Sequence, residues 1–113
     1  MNGKEYIMGA IELAQRLVTE IKKSGVLDGD PLLEGTSKAC GVLENVKKKP
    51  TLRTKAGTNM AFPVYDAAQK LEEAWEETRE REDTDELKEQ MEAFVSSVQT
   101  LGVTLKERTV IMT

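Results

Sequence analysis

The sequence predicts an all-α fold, a small bundle of about four helices, and two observations lead to this prediction. Apolar residues recur at steps of three and four over most of the chain, which places them on one face of a helix. Aromatic residues make up only 4% of the 113 residues, so we expect an aliphatic core. At this length the chain is predicted to form a single helical domain over residues 1–113.

The first two helices are predicted over residues 4–24 and 31–47. Gly25 follows two lysines, which predicts a left-handed glycine cap at the end of helix 1. Asp30 is suited to cap the start of helix 2, with Pro31 at its first helical position. The residues expected to face the core are Ile7, Ile11, Ala14, Leu17, Val18 and Ile21 in helix 1, and Leu32, Leu33, Thr36, Ala39, Cys40, Leu43 and Val46 in helix 2.

Residues 48–62 are predicted to form a long basic loop between helices 2 and 3. Pro50, Gly57 and Asn59 disfavour a helix in this stretch. A connection of this length in a compact domain is typically functional or mobile. A short β-hairpin within the same residues is the alternative, although the alternation of apolar and polar residues is weak.

The last two helices are predicted over residues 63–82 and 83–105. Asp83 and Glu86 have the spacing of a capping box at the start of helix 4. Because the link is so short, helices 3 and 4 are expected to form an antiparallel hairpin. Residues 109–112 are predicted either as a frayed helix end or as a short strand. The expected core residues are Val64, Ala67, Ala68, Leu71, Ala74, Trp75 and Thr78 in helix 3, and Leu87, Met91, Phe94, Val95, Val98, Leu101 and Leu105 in helix 4.

The composition excludes several kinds of active site. The chain has no histidine and a single cysteine, Cys40. Ser-His and Cys-His nucleophile pairs, zinc sites and cysteine-ligated iron–sulfur clusters are therefore excluded. The lone cysteine indicates a reducing compartment, so we expect a cytoplasmic protein. A signal peptide and a membrane span are not expected, because no apolar run approaches the roughly 20 residues that a bilayer requires.

The charges are segregated along the chain, although the net charge is only −4. Residues 38–55 contain six basic residues against Glu44 alone, and residues 72–92 contain eleven acidic residues against three basic ones. The simpler interpretation is a solvated surface. The alternative is that the acidic helices of one copy meet the basic segment of a neighbouring copy or of another partner.

Residues 47–59, which overlap the end of this basic segment, have the composition of an anion site. Lysine and arginine side chains, threonine hydroxyls and a glycine that lets backbone N–H groups converge are the groups that bind phosphate. A nucleotide or a phosphorylated metabolite would suit this chemistry, whereas nucleic acid is not an expected partner of so acidic a chain. The candidate ligand-binding residues are Lys47, Lys48, Lys49, Thr51, Arg53, Thr54, Lys55, Gly57, Thr58 and Asn59.

The acidic segment contains short motifs with carboxylates one helical turn apart. Residues 72–77 match EExxE, and residues 80–83 or 82–85 match ExxD. These motifs resemble the magnesium-binding signature of the all-α nucleoside triphosphate pyrophosphatases of the MazG and dimeric dUTPase type. The resemblance covers residues 72–85 and implies a magnesium-dependent nucleotide hydrolase. The ligands that it implies are Glu73, Glu76, Glu80 and Asp83.

The function expected from the sequence is that of a small non-enzymatic helical interaction protein that self-associates, without a cofactor. Small helical chains gain stability by burying further apolar area between copies. Tyr6, Tyr65 and Trp75 are expected to be core or interface aromatics. A binder of an anionic small molecule ranks second, and the magnesium-dependent hydrolase ranks third.

Overall fold

The computed structural model describes residues 1–106, which contain four α-helices and one short 3-10 helix. No strand occurs within these residues, which confirms the all-α prediction. None of their helices is long and apolar enough to cross a membrane. The helices are α1 (Gly3–Ser24), α2 (Pro31–Val46), the 3-10 helix Pro50–Arg53, α3 (Lys55–Arg81) and α4 (Asp85–Thr104).

The four helices surround a common core in the cyclic order α1, α3, α4, α2. Each of them packs on its two neighbours in this order, and the 3-10 helix packs on α1 and α3. Helices α1 and α3 run in the same direction. Gly3 at the start of α1 lies against Gly57 at the start of α3, and Arg16 farther along α1 pairs with Glu72 farther along α3. The start of this pair therefore carries the basic segment.

The predicted core is confirmed on every helix. All the residues expected to face inward are buried except Leu105, which is half-buried. Phe94 of α4 is the largest side chain that is completely buried, and Met91 of the same helix is completely buried as well. The sequence did not predict that Leu27, Leu52 and Ala61 are buried as well.

The prediction of a long loop over residues 48–62 is wrong. The 3-10 helix occupies Pro50–Arg53, and α3 begins at Lys55 rather than at Pro63. Thr54 starts the helix, because its side-chain oxygen accepts a hydrogen bond of 3.0 Å from the N–H of Gly57. Pro63 lies inside α3, where its missing N–H leaves the carbonyl of Asn59 without its usual helical partner. The β-hairpin alternative is also wrong.

The helix ends agree with the sequence in α1 and α2 and differ in α4. Gly25 caps α1 with a φ of 79°, and Asp30 caps α2 by accepting a 2.9 Å hydrogen bond from the N–H of Leu32. The predicted capping box of Asp83 is absent, because the carboxylate accepts a bond from the N–H of Asp85 instead, and Thr84 is the N-cap. The prediction for residues 109–112 lies outside the described residues.

Candidate interaction face between α1 and α3

Three aromatic rings meet on the surface where α1 and α3 pack side by side. The ring centroid of Tyr6 in α1 lies 5.4 Å from that of Phe62 and 5.4 Å from that of Tyr65, both in α3. The Tyr6 and Phe62 rings meet edge to face at 78°. Edge-to-face pairs contribute about 0.5–1.5 kcal/mol beyond the area that they bury. Phe62 is nevertheless 48% exposed, so this ring is held in place and still faces solvent.

An open furrow lies beside the three rings. It has a volume of about 570 Å³ and is lined by Gly9, Glu12, Leu13, Arg16 and Tyr65. A Cβ atom at Gly9 would lie 3.0 Å from Cε1 of Tyr65, so glycine lets the tyrosine ring lie directly against the α1 backbone. We call the surface formed by Tyr6, Gly9, Leu13, Phe62 and Tyr65 the α1–α3 face.

A network of charged residues borders the α1–α3 face farther along the two helices. Arg16 pairs with Glu72 across the helices and with Glu20 one turn away at 3.1 Å. Glu20 also accepts a 3.2 Å hydrogen bond from the indole N–H of Trp75, and the guanidinium of Arg79 lies 5.9 Å from the Trp75 ring centroid. The network covers Trp75, which is only 4% exposed.

The network shifts the pKa values of two of its members. The pKa of Glu20 is lowered mainly by the hydrogen bond that its carboxylate accepts from the indole N–H of Trp75, and the neighbouring Arg16 lowers it further. The hydrogen bond to Glu72 is the main cause that raises the pKa of Arg16. Both shifts favour the charged forms of Glu20 and Arg16.

Two of the three threonines of the predicted anion site, Thr54 and Thr58, use their hydroxyls at the start of α3, and Thr51 is exposed. The Thr54 hydroxyl donates to the carbonyl of Thr51 at 2.6 Å, and the Thr58 hydroxyl donates to the carbonyl of Thr54 at 3.0 Å. Gly57 is buried, and a Cβ atom there would lie 2.6 Å from Cα of Leu52. This glycine therefore allows two backbones to pack closely, and its N–H is used by the cap.

The cations of the predicted site remain at the surface. Lys48, Arg53 and Lys55 are exposed, and none of them forms an ion pair with another of residues 1–106. Lys47 pairs with Glu44. The remaining predicted residues, Lys49 and Asn59, are half-buried and exposed, respectively. Lys48, Arg53 and Lys55 therefore form an exposed basic edge of the protein, and the anion site stays a prediction.

The acidic residues of the magnesium alternative are not arranged around a metal position. Glu73, Glu76 and Glu80 lie exposed along α3, and Asp83 lies exposed beyond its end. Within residues 1–106, no group of three or more carboxylate, cysteine or histidine side chains is placed to hold a metal ion. The motifs therefore describe a solvated acidic surface of α3, opposite the side on which Trp75 is buried.

Cys40 is enclosed by the core. It is 2% exposed, and burial raises the pKa of its thiol to about 11. A thiol with this pKa is almost entirely protonated at neutral pH and is a poor nucleophile. We therefore assign Cys40 to the core.

Comparison with protein-family models, with curated proteins and with solved structures gives no match. The resemblance of residues 72–85 to the nucleotide pyrophosphatases thus has no support from a family model. The functional interpretation rests on the geometry of the described residues.

Proposed function

We propose that this chain is a small non-enzymatic interaction protein that self-associates, with a second copy packed on the α1–α3 face. One observation carries the proposal: Phe62 is 48% exposed while Tyr6 holds its ring edge to face. Aromatic residues are enriched at the centres of protein interfaces. A ring that is already held in position loses little conformational freedom when a partner covers it.

The face contains both a projection and a depression. The Phe62 ring projects from α3, and the furrow at Gly9 and Leu13 lies beside it on α1. In a two-fold symmetric dimer, the same patch of each copy must be complementary to itself. A two-fold rotation near Tyr65 would place the Phe62 ring of each copy against Tyr65 of the other, at the α3 edge of the furrow. This self-complementarity favours a second copy over an unrelated partner.

The surroundings of the face also suit an interface. The charged network of Arg16, Glu20 and Glu72 forms a polar border around the apolar centre, which is the usual arrangement of interface core and rim. In this proposal the protein works in the reducing cytoplasm, where the buried thiol of Cys40 stays unpaired.

The proposal takes α3 and α4 as an antiparallel hairpin. Met60 near the start of α3 shares a furrow with Thr104 at the end of α4. Glu73, in the second half of α3, shares another with Glu86 near the start of α4. The hairpin covers one side of α3 with α4, and α1 covers another, which leaves the exposed stripe of α3 that begins at Phe62 for the second copy.

Light scattering of the purified chain tests this proposal. We expect a mass of twice the chain mass of 12.6 kDa. Phe62→Ser is expected to raise the dimer dissociation constant at least about tenfold, since it removes a central aromatic contact. Met8→Ser is the matched control, because Met8 is 49% exposed and lies about 200° around α1 from Tyr6.

Two results would overturn the proposal. One is a wild-type chain that stays monomeric at all concentrations up to about 500 µM, because its dimer dissociation constant would then be too high for a stable dimer. The other is an equal loss of dimer in Phe62→Ser and Met8→Ser, which would place the contact elsewhere.

A further inference from the structure

We infer that the two copies pack antiparallel about a two-fold axis that lies in the interface, perpendicular to α3 and between Phe62 and Tyr65. The basic start of α3 in each copy then lies over the acidic middle of α3 in the other. This inference rests on the proposed function and adds the orientation of the second copy. It follows from the register of charges along α3.

The charges are spaced symmetrically about the aromatic rings. Lys55 precedes Phe62 by seven residues, and Glu72 follows Tyr65 by seven residues. At a rise of 1.5 Å per residue, both lie about 10 Å along α3 from the rings. A two-fold axis at the rings and perpendicular to α3 therefore places Lys55 of one copy opposite residues 72–73 of the other.

The groups brought together have opposite charge and are open to solvent. Arg53 and Lys55 are exposed at the start of α3, on the 3-10 helix and the first turn that pack beside α1. Glu73 and Glu76 are exposed, and they continue the stripe of α3 that begins at Phe62, at steps of three and four residues through Asp66 and Gln69. Each copy thus offers a basic and an acidic region on either side of the same apolar centre.

The opposite orientation would bring like charges together. If the two α3 helices ran parallel, Arg53 and Lys55 would face their own counterparts, and so would Glu73 and Glu76. Like charges placed opposite each other oppose association, whereas complementary potentials favour it and steer the encounter. The two orientations also respond oppositely to salt, because screening weakens attraction and relieves repulsion.

Charge reversal on the full chain tests the orientation. Arg53→Glu with Lys55→Glu, and separately Glu73→Lys with Glu76→Lys, are each expected to raise the dissociation constant about tenfold at low ionic strength, because two-fold symmetry doubles the effect of each change. The variant with all four changes restores complementary charges. We expect its dissociation constant to return to within about threefold of the wild-type value.

A control variant and the salt dependence complete the test. Lys22→Glu with Lys23→Glu makes the same charge change at the end of α1, where both residues are exposed and lie beyond the reach of the second copy. We expect it to leave the dissociation constant unchanged. Raising sodium chloride from about 50 to 500 mM should weaken the wild-type dimer, and circular dichroism of each variant confirms that the helices persist.

The outcomes separate the two proposals. A dimer that depends on Phe62 but is indifferent to the charge reversals, or becomes tighter with salt, overturns the antiparallel orientation and leaves the proposed function standing. If the variant with all four substitutions does not recover the affinity of the wild-type dimer, the antiparallel orientation is also overturned. A chain that is monomeric at every ionic strength overturns both.

Discussion

Replacing Gly57 by alanine tests whether the start of α3 packs backbone to backbone against the 3-10 helix. Gly57 does not have a positive φ, so no backbone strain requires a glycine there. The surrounding atoms require a glycine instead, because a Cβ atom at this position would lie 2.6 Å from Cα of Leu52. Gly41 in α2 is the matched control, since it is exposed and a Cβ atom there would meet no atom within 4 Å.

The two substitutions are expected to change stability in opposite directions. In an exposed helix interior alanine is favoured over glycine by about 0.5–1 kcal/mol, so Gly41→Ala should stabilise the fold by that amount. Forcing a methyl group into the packed site at Gly57 should destabilise it by about 1–3 kcal/mol. For 113 residues the unfolding entropy is about 240 cal/mol/K, so about 1 kcal/mol moves the Tm by about 4 °C.

Thermal unfolding followed by circular dichroism, at equal protein concentration, measures both changes. We expect the Tm of Gly41→Ala to rise by about 2–4 °C and that of Gly57→Ala to fall by about 4–12 °C. A rise of the Tm in both variants would refute the close packing of the 3-10 helix on α3. It would also reopen residues 48–62 as a mobile loop with an anion site.

Three further predictions concern single side chains. The pKa of Glu20 is lowered in the folded chain, so its charge stabilises the fold above its ordinary pKa and ceases to do so as the pH falls through the lowered pKa. The Tm difference between wild type and Glu20→Gln should therefore be present at pH 7 and disappear as the pH is lowered through that range. Cys40, with a pKa of about 11, should react with a disulfide reagent at least about a hundredfold more slowly in the folded chain than in urea, and equal rates would contradict its burial. Asp30→Ala should cost about 1 kcal/mol in urea unfolding through loss of the α2 cap. Asp83→Ala should cost less, because it removes one exposed hydrogen bond to the N–H of Asp85 and leaves the N-cap residue Thr84 in place.

The sequence predicts the helical core well, because the buried residues are apolar residues that recur at steps of three and four. Every inward-facing position predicted in α1, α2 and α3 is buried, and the caps at Gly25 and Asp30 form as expected. These features depend on residues close in sequence. Interactions between neighbouring residues therefore determine the caps and the apolar faces, independently of how the helices pack.

The start of α3 could not be predicted in the same way. Pro50, Gly57 and Pro63 each disfavour a helix when considered alone. The fold tolerates them because Thr54 caps the helix and Gly57 fits beneath the 3-10 helix. Gly3 of α1 in turn packs against Leu52 and Gly57, a contact between distant parts of the chain that a local pattern does not record.

The candidate face was missed for the same reason. Phe62 and Tyr65 are three residues apart, a helical spacing, but an irregular loop ending at Phe62 concealed it. Their meeting with Tyr6 depends on the parallel packing of α1 on α3. The sequence also did not predict that the hydroxyls of Thr54 and Thr58 donate to backbone carbonyls.

Oxidative footprinting of the unmodified chain tests the α1–α3 face most directly. Hydroxyl radicals modify exposed Phe62 and exposed Met8, whose side chains start from nearly equal exposure, 48% and 49%. As the concentration is raised through the range in which the mass doubles, we expect oxidation of Phe62 and Tyr65 to fall several-fold while that of Met8 stays constant. Unchanged oxidation of Phe62 in the dimer, or equal protection of Met8, would contradict the proposed face.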